Sequence, residues 1–540
     1  MSFEVREKDL LARIGKLKTK TGTIETPLLF PVVNPALQPI SPRKLQEEFG
    51  FDALITNAYI LKKRFGNRVK EVGVHRFLGY DGVVMTDSGA YQILVYGDVE
   101  VSPEEIVDYQ ERIGSDIATI LDIPTGWKIS EKKAENTVHE TLKRAKDLFQ
   151  LKTREDILWV GPIQGGQYLD LVAKSAMKMA KLPFQIHALG SPTEVMERYR
   201  FDVLVGMIMT AKANLPIERP LHLFGAGHPI MFSLAVALGC DLFDSAAYTI
   251  FARENRYMTE SATYRLEEME YFQCPCPKCS RTTPERILQL PQEERQIFLA
   301  EHNLYVCSAE LKRVKQAIKD GRLWEHMEMR AYSHPALLQA VKKLKKYQGY
   351  IERHNPVTKK SGLFFFGSNG LMRPEILHHS RKLDEGYTKP KQAEILLLIP
   401  QPQTKPFHKS EEFRHIKKII NQILKEHNSK VHPCFYVAPF GIVPIELDEI
   451  YPLSQYENVL PLERENLDYM ANRTADYITH KKYKKTIFLT TNDDDKIIMN
   501  AAKKTCQKRG IMFRPLRLDR KPRKTMLTQF GKILREMLSE

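Results

Sequence analysis

Short apolar runs alternate with amphipathic stretches over the first 250 residues. Seven runs read as strands: ALITNAYI (53–60), GVVMTDSG (82–89), IATILDIP (117–124), LWVGPIQG (158–165), QIHALG (185–190), PLHLFGAG (220–227) and DLFDSA (241–246). Between them, stretches such as SPEEIVDYQERIG and KKAENTVHETLKRAKDLFQ carry apolar residues at helical spacing with charged outer faces. Repeated βα units over this length predict an α/β fold, a (β/α)8 TIM barrel. An open doubly wound sheet is the competing arrangement, but no Gly-rich nucleotide fingerprint follows the first strand.

From about residue 255 the pattern changes to a cysteine cluster and charged helices such as SAELKRVKQAIKDG. Residues 330–392 are mixed and basic, with FFFGSNG as a turn-like interruption. A new βα pattern starts at about 393 with AEILLLIP and continues through HPCFYVAPFGIVP and KKTIFLTTNDDD. At 540 residues the chain exceeds one hydrophobic core. The expected organisation is a barrel over 1–350 that includes a metal-binding subdomain (about 255–310). A linker or helical region over 351–392 and a smaller C-terminal α/β domain over 393–540 follow.

Composition sharpens this picture in two ways. Lys and Arg outnumber Asp and Glu by 81 to 66, a net charge of +15, which favours a polyanionic partner over an acidic one. The N-terminal MSFEVREKDLLARIG lacks the apolar run of a signal peptide, and no apolar stretch reaches the length of a bilayer span, so a cytoplasmic protein without a membrane partner is expected. Three of the seven cysteines fall within CPCPKC (274–279), a clustering that suits a metal site in a reducing compartment better than a disulfide framework. Cys274, Cys276 and Cys279, followed after a helical stretch by His302, form the donor set of a closed tetrahedral zinc site. Four protein ligands leave no open position for water, so one structural Zn2+ per chain is expected. Cys240, Cys307, Cys434 and Cys506 are isolated and read as inert thiols.

Asp87, Asp122, Gln164 and Asp244 each stand at or just past the end of a different strand run. In a parallel barrel those ends converge on one face, where catalytic groups collect. A single aspartate there would usually be a helix N-cap; four acid or amide groups, each near Gly or Pro, point instead to a site. Asp241, three residues before Asp244, reads as a structural neighbour.

TDSGAYQ (86–92), LDIP (121–124), IQGG (163–166), HLFGAGHP (222–229), DLFDSAAY (241–248) and CPCPKC…HN together resemble the tRNA-guanine transglycosylase family. PVVNP (31–35), LITNAYI and RYMT (256–259) are similar to its archaeal branch, and the resemblance runs from about residue 5 to about 350. It implies a zinc-bearing barrel that exchanges guanine at position 15 of the tRNA D-arm for preQ0, on the way to archaeosine. By the same resemblance Asp244 is the nucleophile and Asp87 the general acid/base. Ser88, Asp122, Gln164, Gly190 and Ser191 are substrate-binding, with Asp122 and Gln164 on the edge of the incoming base. The family usually carries two glycines where this chain has Gly190 and Ser191. Residue types suit the chemistry. Cleaving an N-glycosidic bond develops positive charge at the anomeric carbon, which a carboxylate can trap. A second carboxyl can move the proton of both half-reactions, and the target base must leave its stack. tRNA and the preQ0 base are the implied partners; a homodimer is left open.

The PUA domain common among archaeal relatives is not found, which leaves open a separate PUA-bearing chain. VAPFGIVPIELDEIYPLSQYE (437–457) instead resembles the central domain of archaeosine synthase. Its PC-xxx-KPY-type motif, with Ser and His downstream, corresponds to Pro400–Phe407 followed by Ser410 and His415, but Gln401 replaces the cysteine. A tRNA-binding region without chemistry of its own is therefore expected. Residues 511–540 add eight basic side chains against three acidic ones, a surplus of five. Two other readings are an archaeosine-synthase-like enzyme acting on preQ0 already in tRNA, and a non-catalytic tRNA-binding subunit. The retained Asp87 and Asp244 speak against both.

Overall fold

A computed structural model describes residues 2–90, 101–424, 430–518 and 524–539. Two compact units divide the chain: Met1–Tyr350 with His354–Pro356, and Ile351–Arg353 with Val357–Glu540. Among the described residues no helix is long and apolar enough to cross a membrane.

The first unit begins with a three-stranded antiparallel sheet, β1 (Phe3–Asp9), β2 (Ala12–Lys18) and β3 (Thr23–Thr26). Eight strands then close a parallel barrel: β4 (Leu28–Val33), β5 (Ala53–Asn57), β6 (Val83–Asp87), β7 (Ile117–Thr119), β8 (Leu158–Ile163), β9 (Ile186–Leu189), β10 (Leu221–Leu223) and β11 (Leu242–Ser245). Closure comes from β11 pairing with β4, Leu242 opposite Leu28 and Ser245 opposite Pro31. The barrel expected from the periodicity is thus present, and seven of its strands lie inside the runs read from the sequence. The remaining one, β4 (LLFPVV), escaped that reading: it carries Pro31, a residue without the ladder N–H, which ordinarily argues against a central strand. The N-terminal sheet escaped it too, because exposed charged residues dominate β1.

Alternate residues of the strands fill the barrel. Phe30, Ala53, Ile55, Val83, Met85, Ile117, Val160, Ile186, Ala188 and Leu242 form one buried cluster, and Phe3, Leu17 and Ile24 of the N-terminal sheet join it. Asp241 immediately precedes β11 and is 1% exposed. Its carboxylate accepts from Arg13 Nε at 2.9 Å and from the Leu221 N–H at 2.9 Å, while Arg13 Nη2 also donates to the Arg219 carbonyl at 3.0 Å. This buried pair ties β2 to the starts of β10 and β11.

After β11, a short hairpin of β12 (Arg256–Met258) and β13 (Thr263–Arg265) leads through the cysteine cluster into the long helix Gln292–Asp320. The second unit is an α/β sandwich. Its sheet orders β17 (Gly441–Pro444), β16 (Val431–Val437), β15 (Ile395–Pro400), β19 (Lys485–Thr490) and β20 (Met512–Arg517), parallel except for β16 with β17. Strict alternation in β15 explains the two layers. Ile395, Leu397 and Ile399 pack with Phe413, Ile416, Phe530 and Leu534, whereas Leu396 and Leu398 pack with Met470, Tyr477 and Ile498. Residues 363–365 form β14 (Leu363–Phe365), which pairs in parallel with β18 (Tyr456–Asn458) of the same unit.

Removing one partner of a buried ion pair strands a charge, so Arg13→Met or Asp241→Asn should each lower unfolding free energy by about 3–5 kcal/mol. The double variant Arg13→Met/Asp241→Asn should lose clearly less than the sum. Urea denaturation of the three variants checks this; additive losses would show that the pair is not coupled.

Candidate active site

The barrel's geometry brings the strand-end polar groups to one face. Asp87 closes β6 and stands opposite Asn57, the last residue of β5. Asn57 Nδ2 donates to Asp87 Oδ2 at 3.0 Å, and its own Oδ1 caps the next helix by accepting from the Ile60 N–H at 2.9 Å. That second bond fixes which end of the amide faces the aspartate. The Gly89 N–H adds a weaker donor at 3.3 Å. Burial, and then the neighbouring Asp122 and Asp244 carboxylates, push the Asp87 carboxyl up to about 7.

Asp244, on β11, is held differently. Its Oδ1 accepts from the Gly225 N–H at 3.0 Å and from His222 Nε2 at 2.9 Å. His222 is fully buried on β10, stacked on Phe30 at 5.7 Å and edge-on to Phe224 at 4.8 Å. Among the described residues Oδ2 takes no hydrogen bond, so one oxygen is anchored and the other is available to the cavity.

Asp122 and Gln164 form the third element. Gln164 Nε2 donates to Asp122 Oδ2 at 2.6 Å, and Gln164 Oε1 accepts from the Thr125 N–H at 3.0 Å and from Ser191 Oγ at 3.0 Å. The amide is therefore locked with its N–H toward the carboxylate. Burial raises Asp122 to about 6, while the Gln164 amide and the Arg144 charge pull it back. Gly190 is required by close approach: a Cβ there would sit 2.2 Å from Gln164 Nε2. Ser191 has left-handed backbone, φ 60°, the region that glycine adopts freely. In this chain the serine hydroxyl offsets the strain by bridging the Thr125 N–H at 2.7 Å and Gln164.

Asp87, Asp122, Gln164, Gly190, Ser191 and Asp244 all line one cavity of about 1130 Å³. Ser88, also expected to touch substrate, is fully buried and does not line it. Tyr91 and Gln92 of the TDSGAYQ motif lie outside the described residues. Asn57, Thr125 and His222, which strand-end counting passed over, hydrogen-bond to these groups. Asn57 stands in LITNAYI and His222 in HLFGAGHP, but their positioning bonds run to residues 30 and 22 positions away.

The cysteine cluster gathers as expected. One donor atom from each of Cys274, Cys276, Cys279 and His302 lies within 4.8 Å of the others. His302 Nδ1 is 3.3 Å from Cys279 Sγ and 3.7 Å from Cys276 Sγ. Tetrahedral metal–ligand lengths of about 2.0–2.3 Å imply donor separations of this order. His302 Nε2 donates to the Met258 carbonyl at 2.8 Å, which leaves the Nδ1 lone pair for a metal. Tyr257 stacks on the imidazole at 3.6 Å and brings its hydroxyl to 3.6 Å from Cys279 Sγ. The donor set fits a metal ion with no open position. By contrast Cys240, Cys307, Cys434 and Cys506 are all buried, and burial pushes the Cys307 thiol up to about 12.

The family described as queuine tRNA-ribosyltransferase matches residues 8–336, more than half of the chain. This chain belongs to that family. Similar relatives named tRNA-guanine(15) transglycosylase occur in Methanocaldococcus jannaschii (44% identical over 467 residues, 85% of this chain and 68% of the relative). Others are those of Sulfolobus acidocaldarius (40% over 488 residues, 89% and 93%) and Pyrobaculum aerophilum (45% over 462 residues, 85% and 90%). All of the cavity residues and the four candidate metal ligands fall inside the matched span. A second family, described only as a domain of unknown function, matches residues 376–514. There the structure gives Gln401 a backbone role, accepting from the Ala438 N–H at 3.2 Å. Ser410 is buried and its hydroxyl accepts from the Phe413 N–H at 3.2 Å, while His415 is exposed on the helix Glu411–Leu424.

Two outcomes follow from the cavity and the metal cluster. Gly190→Ala should displace the Gln164 amide and weaken guanine binding at least tenfold by calorimetry, with the melting temperature unchanged; wild-type affinity would mean that Gln164 is not the constraint. Elemental analysis should find one metal ion per chain, and Cys276→Ser should lose it and melt at a lower temperature. Metal-free wild-type protein of undiminished stability would rule out a structural metal.

Proposed function

We propose that this chain exchanges guanine at position 15 of the tRNA D-arm for preQ0 (7-cyano-7-deazaguanine) through a covalent enzyme–tRNA intermediate, a step of archaeosine formation. The observation that carries this reading is the convergence in one cavity of two differently held carboxylates, Asp87 and Asp244, with a polarised Asp122–Gln164 pair. The position rests on the names of the relatives.

In the first half-reaction Asp244 Oδ2 forms a bond to the ribose C1′ as the C1′–N9 bond breaks. His222 and the Gly225 N–H hold the other oxygen, so the carboxylate is aimed without losing its free lone pair. The leaving guanine takes its electron pair at N9 and the proton of Asp87, whose raised pKa keeps it protonated near neutrality. The deazapurine enters, gives its N9 proton to the Asp87 carboxylate, and attacks C1′, which releases Asp244. Protons and bonds balance over the cycle without a further co-reactant. Asp122 accepts from the donor edge of the heterocycle, and Gln164 holds that carboxylate in place. Zinc suits the Cys3His donor set, where it would organise the loop and the long helix and take no part in the exchange.

The second unit supplies tRNA contacts in this proposal. Arg414, Lys417 and Lys418 line a shallow concavity on its helix Glu411–Leu424, and Arg514, Arg517, Lys532 and Arg535 are exposed elsewhere on the unit. Asp519, Arg520, Lys521, Arg523 and Glu540 of the basic tail lie outside the described residues. Gln401, where the archaeosine-synthase motif has its cysteine, supports a binding role over a second chemistry.

Asp244→Asn should abolish both incorporation of labelled preQ0 and the protein–RNA adduct seen on denaturing gels, with the fold retained. Full incorporation by that variant would overturn the mechanism. Asp87 gives a pH test with a defined sign. Base release needs its acid form, so single-turnover adduct formation should fall as pH rises through about 7. Attack by preQ0 on the preformed adduct needs the carboxylate and should fall as pH drops through the same region. Because folding raises this carboxyl above its unfolded value, its contribution to stability declines as pH rises between the two; Asp87→Asn should therefore be no less stable than wild type at pH 8. Flat profiles for both half-reactions would assign the proton to another group.

A further inference from the structure

The cavity is larger than one base needs. At about 1130 Å³ it exceeds the roughly 300–1,000 Å³ of a small-molecule pocket. Its wall continues from Gly190 and Ser191 through Met196 and Tyr199 to Ser333 and His334. Tyr199 is 54% exposed there, an unusual place for a large ring. Its ring lies parallel to His334, with centroids 4.8 Å apart and planes at 15°, and Phe201 meets it edge-on at 5.9 Å.

Backbone geometry holds this ring in place at a cost. Tyr199 has φ 54°, the left-handed region that a bulky side chain adopts reluctantly and glycine adopts freely. Its N–H donates to the Met196 carbonyl at 2.9 Å, which ends the short helix Thr193–Glu197 that follows the Gly190–Ser191 turn. His334 is fixed as well. Its Nδ1 accepts from the Ala336 N–H at 3.1 Å and so caps the helix Pro335–Lys343. One side of the tyrosine is therefore seated on a locked imidazole, and the residue remains more than half exposed.

We infer that Tyr199, seated on His334, is a stacking ledge for an unpaired nucleobase flanking the exchanged guanine. This rests on the base-exchange reading above. Pulling a guanine out of folded RNA leaves its neighbours unstacked, and an aromatic face recovers that stacking for any base, without hydrogen-bond readout. Glycine at position 199 would relieve the backbone and lose the ledge, so the strain is retained for the ring.

The test uses the full-length chain, a tRNA transcript and labelled preQ0. Tyr199→Gly and Tyr199→Ala should raise the KM for tRNA roughly tenfold or more, leaving the KM for preQ0 unchanged. Tyr199→Phe and Tyr199→Trp should restore the tRNA value. Tyr199→Gly should melt no lower than wild type, which separates loss of the ledge from loss of fold. Transcripts carrying 2-aminopurine on either side of the exchanged guanine should be quenched on binding wild-type or Tyr199→Phe protein, and not on binding Tyr199→Gly. A wild-type tRNA KM in Tyr199→Gly, or a rise confined to preQ0, would overturn the ledge. If wild-type protein quenched the probe yet incorporated no preQ0, the base-exchange reading would fail while the ledge stood.

Discussion

Three carboxylates facing one cavity are the constraint around which the barrel face is organised. Asp87, Asp122 and Asp244 would repel one another and lose hydration together, and burial is the first cause that raises both Asp87 and Asp122. Each accepts from a different set of donors: Asn57 and the Gly89 N–H for Asp87, Gln164 for Asp122, His222 and the Gly225 N–H for Asp244.

Fixing those donors falls to a further set of residues around them. Asn57 is oriented by capping a helix, and His222 by two aromatic rings. Gln164 is oriented by Thr125 and Ser191, with Gly190 making room for its amide. The same logic appears at the metal cluster, where the Met258 carbonyl sets the His302 tautomer from the hairpin that follows the barrel. At the opposite end of β11 the buried Arg13–Asp241 pair anchors the strand that carries Asp244. Asp241 and Asp244 are three residues apart, yet one serves stability and the other faces the cavity, because they lie at opposite ends of one short strand.

Much of this is legible in the order of residues. Periodicity alone locates seven barrel strands and, through them, four polar residues at strand ends; all four line the cavity. Spacing alone marks CxCxxC as a metal loop. Other features are not legible there. β4 is hidden by Pro31 because propensity treats proline as a breaker, whereas the barrel tolerates it near the strand's C-terminal end, opposite Ser245. Ser88 sits in the TDSGAYQ motif but does not line the cavity: it follows the last residue of β6 and is fully buried.

Local period and short spacing were enough to set the alternation of apolar runs, the residue types at their ends and the metal donor set. Folding settled which oxygen of Asp244 is anchored, which way the Gln164 amide faces, and why Asp87 holds its proton near neutrality. Each of these depends on groups brought together from strands tens of residues apart, and on the water excluded when the barrel closes around them. No local pattern encodes how a carboxylate is solvated; only the packed barrel does.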